Sequence, residues 1–304
     1  MRRAIRIGLL AALCGLALQL SLRAQQIVDE DEPYWLLLER GKKLFDEREY
    51  GEALRFFRAA LENRVVYPEA DFWIGKVFEA EATYPLAERQ YQRAFDQRNQ
   101  LQIPEQAFTI LYRLADIQRN SKKYQPYAET LQTIITLHLD ESEPQGPNPR
   151  PDVIHRVLLN QGVDKLIELY RIQNKPRAMA YAELGIYQYR TGRYLTGAYN
   201  LSYSVTVGLT TLVEYLIAKD PEYRYLTVSA VLEDADRYRA LEEYSQDVEL
   251  FQQMYYLALC LYGDGKIGAA NSLWRIVAER ADNDWAAWAL LQLDSPRHEP
   301  LLEI

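Results

Sequence analysis

Small and aromatic side chains return along this chain at a fixed long interval. Gly41 and Gly75 stand 34 residues apart. After Gly41 come Tyr50, Ala53, Phe57 and Ala60, and after Gly75 come Tyr84, Ala87, Tyr91 and Ala94 at the same four offsets. Ala115 opens a weaker copy with Tyr124, Tyr127, Leu131 and Ile134; Gly185 opens another with Tyr194, Gly197, Leu201 and Ser204; Ala258 opens a last one with Ile267, Ala270, Trp274 and Val277. Repetition at this interval predicts stacked supersecondary units rather than one globular core. Tight turns are visible inside the copies at residues 46–49, 190–193 and 263–266, with Pro85 just inside a second helix, where its missing N–H costs least. The interval then loosens to 40, 70 and 73 residues, the last two near twice the period, so each of those gaps is expected to hold one degenerate helical pair. The first gap contains residues 153–172, where Leu158, Leu159, Val163, Leu166, Ile167 and Tyr170 recur at helical spacing. The second contains residues 223–238, helical in composition.

Residues 139–152 interrupt the helical pattern with Pro144, Pro147, Pro149 and Pro151, and predict either a hinge between two sub-arrays or a surface loop. Residues 295–304 have lost the repeat pattern and are expected to fray.

These copies resemble the tetratricopeptide repeat, a helix-turn-helix unit in which small residues let two helix axes approach to about 8–10 Å. The resemblance is strong over residues 33–98 and weaker over 104–137, 178–206 and 251–280. It departs from the family where Leu37 replaces a Trp, Arg40 replaces a Leu, and three extra residues precede Pro68. It implies an all-α superhelical array of about seven helical pairs, two of them degenerate, divided into 33–138 and 153–294. It also implies a concave groove, lined by the first helix of each pair, that takes a partner's peptide or helix. Carried onto this chain, the groove positions are Leu38, Lys42 and Phe45; Phe72, Lys76 and Glu79; Tyr112, Asp116 and Arg119; Ala182, Tyr189 and Arg190; and Tyr255 with Tyr262. The family's carboxylate clamp is not supported, because its positions hold Leu38, Lys42, Trp73 and Thr109.

The N-terminus carries an address. Arg2, Arg3 and Arg6 precede the almost wholly apolar residues 7–22, and polar residues begin at Arg23. This is the layout of a secretory signal cleaved after Ala24, followed by a disordered start over residues 25–32. An uncleaved membrane anchor and acylation at Cys14 are the alternatives.

Cleavage would leave 31 basic residues against 43 acidic ones, a net charge of −12, with no basic cluster to attract nucleic acid. One cysteine, Cys260, would remain, expected as a buried core thiol. His138, His155 and His298 are isolated, so no metal site can be assembled from local spacing. No phosphate-binding glycine loop or nucleophile elbow is present either. The acid groups, such as Asp234 with Asp236 and Glu242 with Glu243, read as solvated faces.

The resulting expectation is a non-catalytic scaffold without cofactor or metal, exported to the periplasm, that binds another protein of the cell envelope. Self-association is compatible with it. The alternative is a small-ligand-binding accessory subunit of a solute transporter, with Tyr199, Tyr203, Tyr215 and Trp274 lining an internal pocket. If the groove tyrosines face solvent, alanine at Tyr112, Tyr189 and Tyr255 should leave the fold intact.

Overall fold

The computed structural model describes residues 32–139, 149–280, 284–300 and 302, and every regular element among them is helical. The expected signal segment, with Cys14, and most of residues 139–152 lie outside the described residues. The α-helices are α1 Tyr34–Asp46, α2 Tyr50–Asn63, α3 Pro68–Ala80, α4 Tyr84–Asp96, α5 Gln106–Asn120, α6 Tyr124–Thr136 and α7 Pro151–Leu169. They continue with α8 Lys175–Arg190, α9 Tyr194–Lys219, α10 Val228–Ala235, α11 Arg239–Asp247, α12 Leu250–Gly263, α13 Ile267–Ala278 and α14 Asp284–Asp294. The chain forms two compact units that divide at Pro104. The boundary therefore falls before α5.

The 34-residue interval has a direct steric cause. Within a hairpin, the glycine of the first helix faces the residue 16 positions later on the second. A methyl group at Gly41 would sit 2.4 Å from the Phe57 ring, at Gly75 2.6 Å from Tyr91, and at Gly185 2.6 Å from Leu201 and 3.1 Å from the Gly197 carbonyl oxygen. Ala53, Ala60, Ala87, Ala94, Ala258 and Ala270 are fully buried at the other close approaches. The turns repeat as well. Arg48, Ala82, Lys122, Gly192 and Gly265 each take a positive φ, between 56° and 76°, two residues before a second helix. At each of them the next residue's N–H reaches back to a carbonyl of the first helix, as from Lys123 to Gln118 at 2.8 Å and from Arg193 to Gln188 at 2.8 Å. This is the Schellman arrangement, which satisfies carbonyls a helix end would otherwise leave unpaired. Three of the five left-handed positions lack glycine, so the turn residues alone did not reveal the register.

The degenerate regions differ in detail from the sequence expectation. The helix expected over 153–172 is α7, broken at Gly162, whose φ of 82° and ψ of 169° no helix accommodates. Residues 223–238 are not one helix. Tyr223–Thr227 is irregular, and Thr227, whose hydroxyl accepts from the Ala230 N–H at 3.2 Å, starts the short α10. α9 runs far beyond the repeat, to Lys219, and residues 201–210 are buried without a break. It is long and apolar enough to cross a membrane, but it is the core helix of the second unit, enclosed by α7, α8, α10 and α12. Its hydroxyls are satisfied locally. Thr206 donates to the Ser202 carbonyl at 2.7 Å, Thr210 to that of Thr206 at 2.7 Å, and Ser204 to the Gln253 side chain at 2.6 Å. Cys260 is the buried core thiol expected, and burial pushes its pKa up.

His155 on α7 is buried against α9, its Nδ1 3.4 Å from the Ser202 hydroxyl and its ring 5.0 Å from that of Tyr199. Burial holds its pKa down at about 4, the Asp264 charge raising it and Lys266 lowering it. An unfolded chain takes up this proton near pH 6.5 and the folded one only near pH 4, so stability falls as pH drops through that window. Between pH 7.5 and 5 the share of His155 in that loss should be about 2 kcal/mol, read by urea denaturation at both pH values as the difference between the chain and His155→Phe. In the same assay Gly185→Ala should cost about 1–3 kcal/mol, because backbone lies in the way of the added methyl. Gly51→Ala, with nothing within 4 Å, should instead gain about 0.5–1 kcal/mol.

Candidate functional site

In the first unit, the first helices of both hairpins carry half-buried aromatic and cationic side chains on one face. Phe45 meets Trp73 edge-on at 5.3 Å, and Phe72 lies 5.6 Å from Tyr91. The Lys76 ammonium sits 3.6 Å from the Trp73 ring centre and 4.8 Å from that of Phe45, and Lys42 is 5.7 Å from Trp73. The structure thus brings together on one face Lys42, Phe45, Phe72 and Lys76, which the family resemblance implied as groove positions. Trp73, one residue from such a position, is the member that the resemblance did not supply. Cations over aromatic faces contribute about 0.5–1 kcal/mol at exposed sites, and both groups remain partly available to a partner. Glu79 accepts from the Tyr91 hydroxyl, which fixes the face against α4.

In the second unit, Tyr127 of α6 donates to the Glu183 carboxylate of α8 at 2.6 Å, and Arg119 of α5 reaches the same carboxylate at 3.4 Å while pairing with Asp116 at 2.8 Å. Burial raises the Glu183 pKa, opposed by these two partners. Burial likewise raises that of Tyr127, helped by the Glu183 charge. These groups, with Tyr187, Arg190, Gln252 and Leu302, line an open cleft of about 260 Å³.

Residues 295–300 and 302 lie beside this cleft, against α8, α9, α12 and α14, and these described residues of the segment do not fray. The Glu299 carboxylate accepts from the Tyr255 and Tyr256 hydroxyls, each at 2.9 Å, and its N–H donates to the Tyr189 hydroxyl at 2.9 Å. Arg190 donates to the Tyr256 hydroxyl at 3.1 Å, and its carbonyl accepts from the Leu302 N–H at 2.9 Å. The Tyr262 hydroxyl donates to the Pro296 carbonyl at 3.2 Å. The His298 ring lies 5.1 Å from Tyr194 and 5.2 Å from Tyr262. Where the repeat pattern ends, the segment is held by hydroxyls on helices that precede it by dozens of residues, so no local signal marks the contact.

Five groove expectations need correction. Tyr189 and Tyr255 have no solvent exposure, and the tail covers them. Tyr112 is a joint, accepting from the Ala180 N–H at 3.1 Å and donating to the Pro176 carbonyl at 2.8 Å, so it ties α5 to the start of α8. Leu38 and Ala182 are core residues of their units. Arg119, Arg190 and Tyr262 retain exposure. The four residues of the small-ligand reading do not share a pocket. Tyr203 stacks on Tyr181, Tyr215 meets Tyr238, Tyr199 meets His155 and Trp274 meets Tyr262. None of them lines the 260 Å³ cleft or a larger one of about 350 Å³ formed by α10, α11 and α12 with Arg280 and Trp285.

Alanine at both Tyr189 and Tyr255 should therefore destabilise the chain by at least about 3 kcal/mol, against the expectation for solvent-facing groove residues. Tyr112→Phe, which removes the hydrogen bonds to the Ala180 N–H and the Pro176 carbonyl, should cost about 1–2 kcal/mol. Equilibrium denaturation followed by helical circular dichroism measures both.

No protein-family model matches the chain. It is similar to an uncharacterized protein of Treponema pallidum (strain Nichols), 23% identical over 221 residues that cover 72% of this chain and 59% of that one. It is also similar to an uncharacterized protein of Borreliella burgdorferi, 23% identical over 305 aligned positions that cover 89% and 92%. The chain thus spans about 59% of the length of the Treponema relative. Among solved structures it is similar to YrrB, described as a TPR protein with an unusual peptide-binding site, at 13% identity over 84% of this chain and 91% of that one, TM-score 0.41. A second is a putative kinesin light chain of Podosopora anserina with nearly identical TPR-like repeats, at 12% identity over 83% and 100%, TM-score 0.43. Both solved neighbours are described as TPR or TPR-like proteins, and the two units described above are all-α and contain helical hairpins.

Proposed function

We propose that this chain is a non-catalytic periplasmic scaffold that binds another protein of the cell envelope through the inner faces of its first helices, in the assembly of an envelope complex. One observation carries the reading. In the first unit the first helices present the half-buried rings of Phe45 and Phe72 beside Lys76, and in the second the buried ring of Tyr187 lines an open cleft with the exposed Arg119 and Arg190. Large rings with a polar or cationic neighbour are the side chains that most often concentrate binding energy at interfaces. Among the described residues no group of three or more His, Cys, Asp and Glu is placed to hold a metal. The periplasmic address comes from the N-terminal pattern of Arg2, Arg3 and Arg6 followed by an apolar run. The envelope processes in view are outer-membrane assembly, wall remodelling and the building of an envelope-spanning machine such as a periplasmic flagellum.

In-cell crosslinking of the tagged chain in its host, read by mass spectrometry, tests the proposal. Crosslinks from the first-helix faces to one envelope protein are expected. Lys42→Glu combined with Lys76→Glu should lower that capture about tenfold while the melting temperature changes little. Crosslinks only between copies of the chain, or none at all, would overturn the reading.

A further inference from the structure

We infer that residues 296–300 are a tethered peptide ligand, and that the groove they occupy takes in trans an extended partner segment carrying an aromatic or imidazole ring immediately before a glutamate. The inference deepens the scaffold reading and rests on it for the existence of such a partner.

The segment is bound as a peptide is bound, not packed as a core element is. It has no helical hydrogen bonds of its own, and Pro296 and Pro300 hold it extended. The helices read both its backbone and one acidic side chain. Tyr262 takes the Pro296 carbonyl, Tyr189 takes the Glu299 N–H, and Tyr255 and Tyr256 clamp the Glu299 carboxylate. Arg190 donates to the Tyr256 hydroxyl, so a guanidinium charge stands behind the clamp. Hydrogen bonds to an ionised acceptor are roughly twice as strong as neutral ones. The groups doing this belong to α8 and α12, the first helices of their hairpins, with Tyr194 beginning the helix between them. His298 rests on the Tyr194 and Tyr262 rings while its own outer side stays exposed. A foreign ring can take the same seat.

The tether explains why so shallow a segment is ordered. Residue 296 follows α14 by two positions, and a short linker holds its ligand at an effective concentration of order millimolar. A groove affinity far too weak to capture the free peptide at cellular concentrations is then enough to keep the site covered. A partner segment with the same ring-glutamate pair, presented on a folded surface that adds contacts, displaces the tail. The tail thus acts as a cover that admits only ligands stronger than itself, which gives selectivity by competition rather than by steric exclusion.

The test uses a fluorescein-labelled synthetic peptide of residues 295–304 and fluorescence polarisation. The chain ending at Ser295 should bind the peptide, the full chain at least about tenfold more weakly, and a peptide carrying Glu299→Ala should lose about tenfold on the shortened chain. If the shortened chain fails to fold, the full chain with His298→Ala and Glu299→Ala takes its place. That variant should bind the wild-type peptide where the wild-type chain does not. No binding to a folded chain with the tail removed or weakened, or equal binding with and without the tail, would overturn the inference. Concentration-dependent dimerisation of the wild-type chain that is lost on removing the tail would overturn it too, by giving the groove to the tail of a second copy. Failure of the scaffold reading looks different: the peptide binds as expected, yet no envelope protein is crosslinked to either unit.

Discussion

The close approach of two helix backbones at a residue without a side chain is the constraint on which this molecule is built. At Gly41, Gly75 and Gly185 the facing residue 16 positions later fills the space a side chain would need, to within about 2.6 Å of where a Cβ would stand. Once that contact is made, the crossing geometry of the hairpin is set, and the facing aromatic or leucine becomes buried. Each hairpin then exposes an apolar flank that only a neighbouring element can cover, which is why such units stack. The left-handed turns follow from the same demand. The chain must reverse within three residues, and the first helix's last carbonyls need donors, so one residue per turn takes a positive φ whether or not it is glycine.

The second unit adds a different solution. Its central helix α9 is enclosed on several sides rather than paired along one, and it carries serines and threonines at buried positions. Their hydroxyls bond back to carbonyls four residues earlier or across to Gln253, so polar residues sit in the core without leaving orphaned groups. Around this helix the repeats lose their regular partners. α7 breaks at Gly162, and α10 and α11 are short, because their packing partner is the long helix rather than an equivalent hairpin. The tyrosines that a regular array would leave on its inner face are here drawn into contact with the tail. Their hydroxyls donate to the Glu299 carboxylate and accept from its backbone N–H.

Tyrosine is suited to this place. Its ring buries apolar area against a neighbouring helix while its hydroxyl reaches a polar partner at the rim, as Tyr112, Tyr127, Tyr255 and Tyr256 all do. One residue type therefore serves both as core and as a peptide-reading surface. A tyrosine at a groove position does not by itself say which of the two it is.

The sequence alone determined the hairpins. Small residues at a crossing and a bulky residue 16 positions later are a local arrangement, and Gly41, Phe57, Gly75, Tyr91, Gly185 and Leu201 carry it within single copies. That Lys42, Phe45, Phe72 and Lys76 share a face was implied by the resemblance to the tetratricopeptide repeat, since helical spacing relates only positions on the same helix. The tertiary structure decided the rest. That the units divide at Pro104, that α9 extends through a core to Lys219, and that Tyr189 and Tyr255 are covered by residues around Glu299 all depend on contacts between residues far apart in the chain. The tail has no helical period, and its binding is written in hydroxyls on α8 and α12, some 110 and 44 residues away. Periodicity records what a residue's near neighbours require of it, whereas such a contact exists only once the helices that form it have been placed.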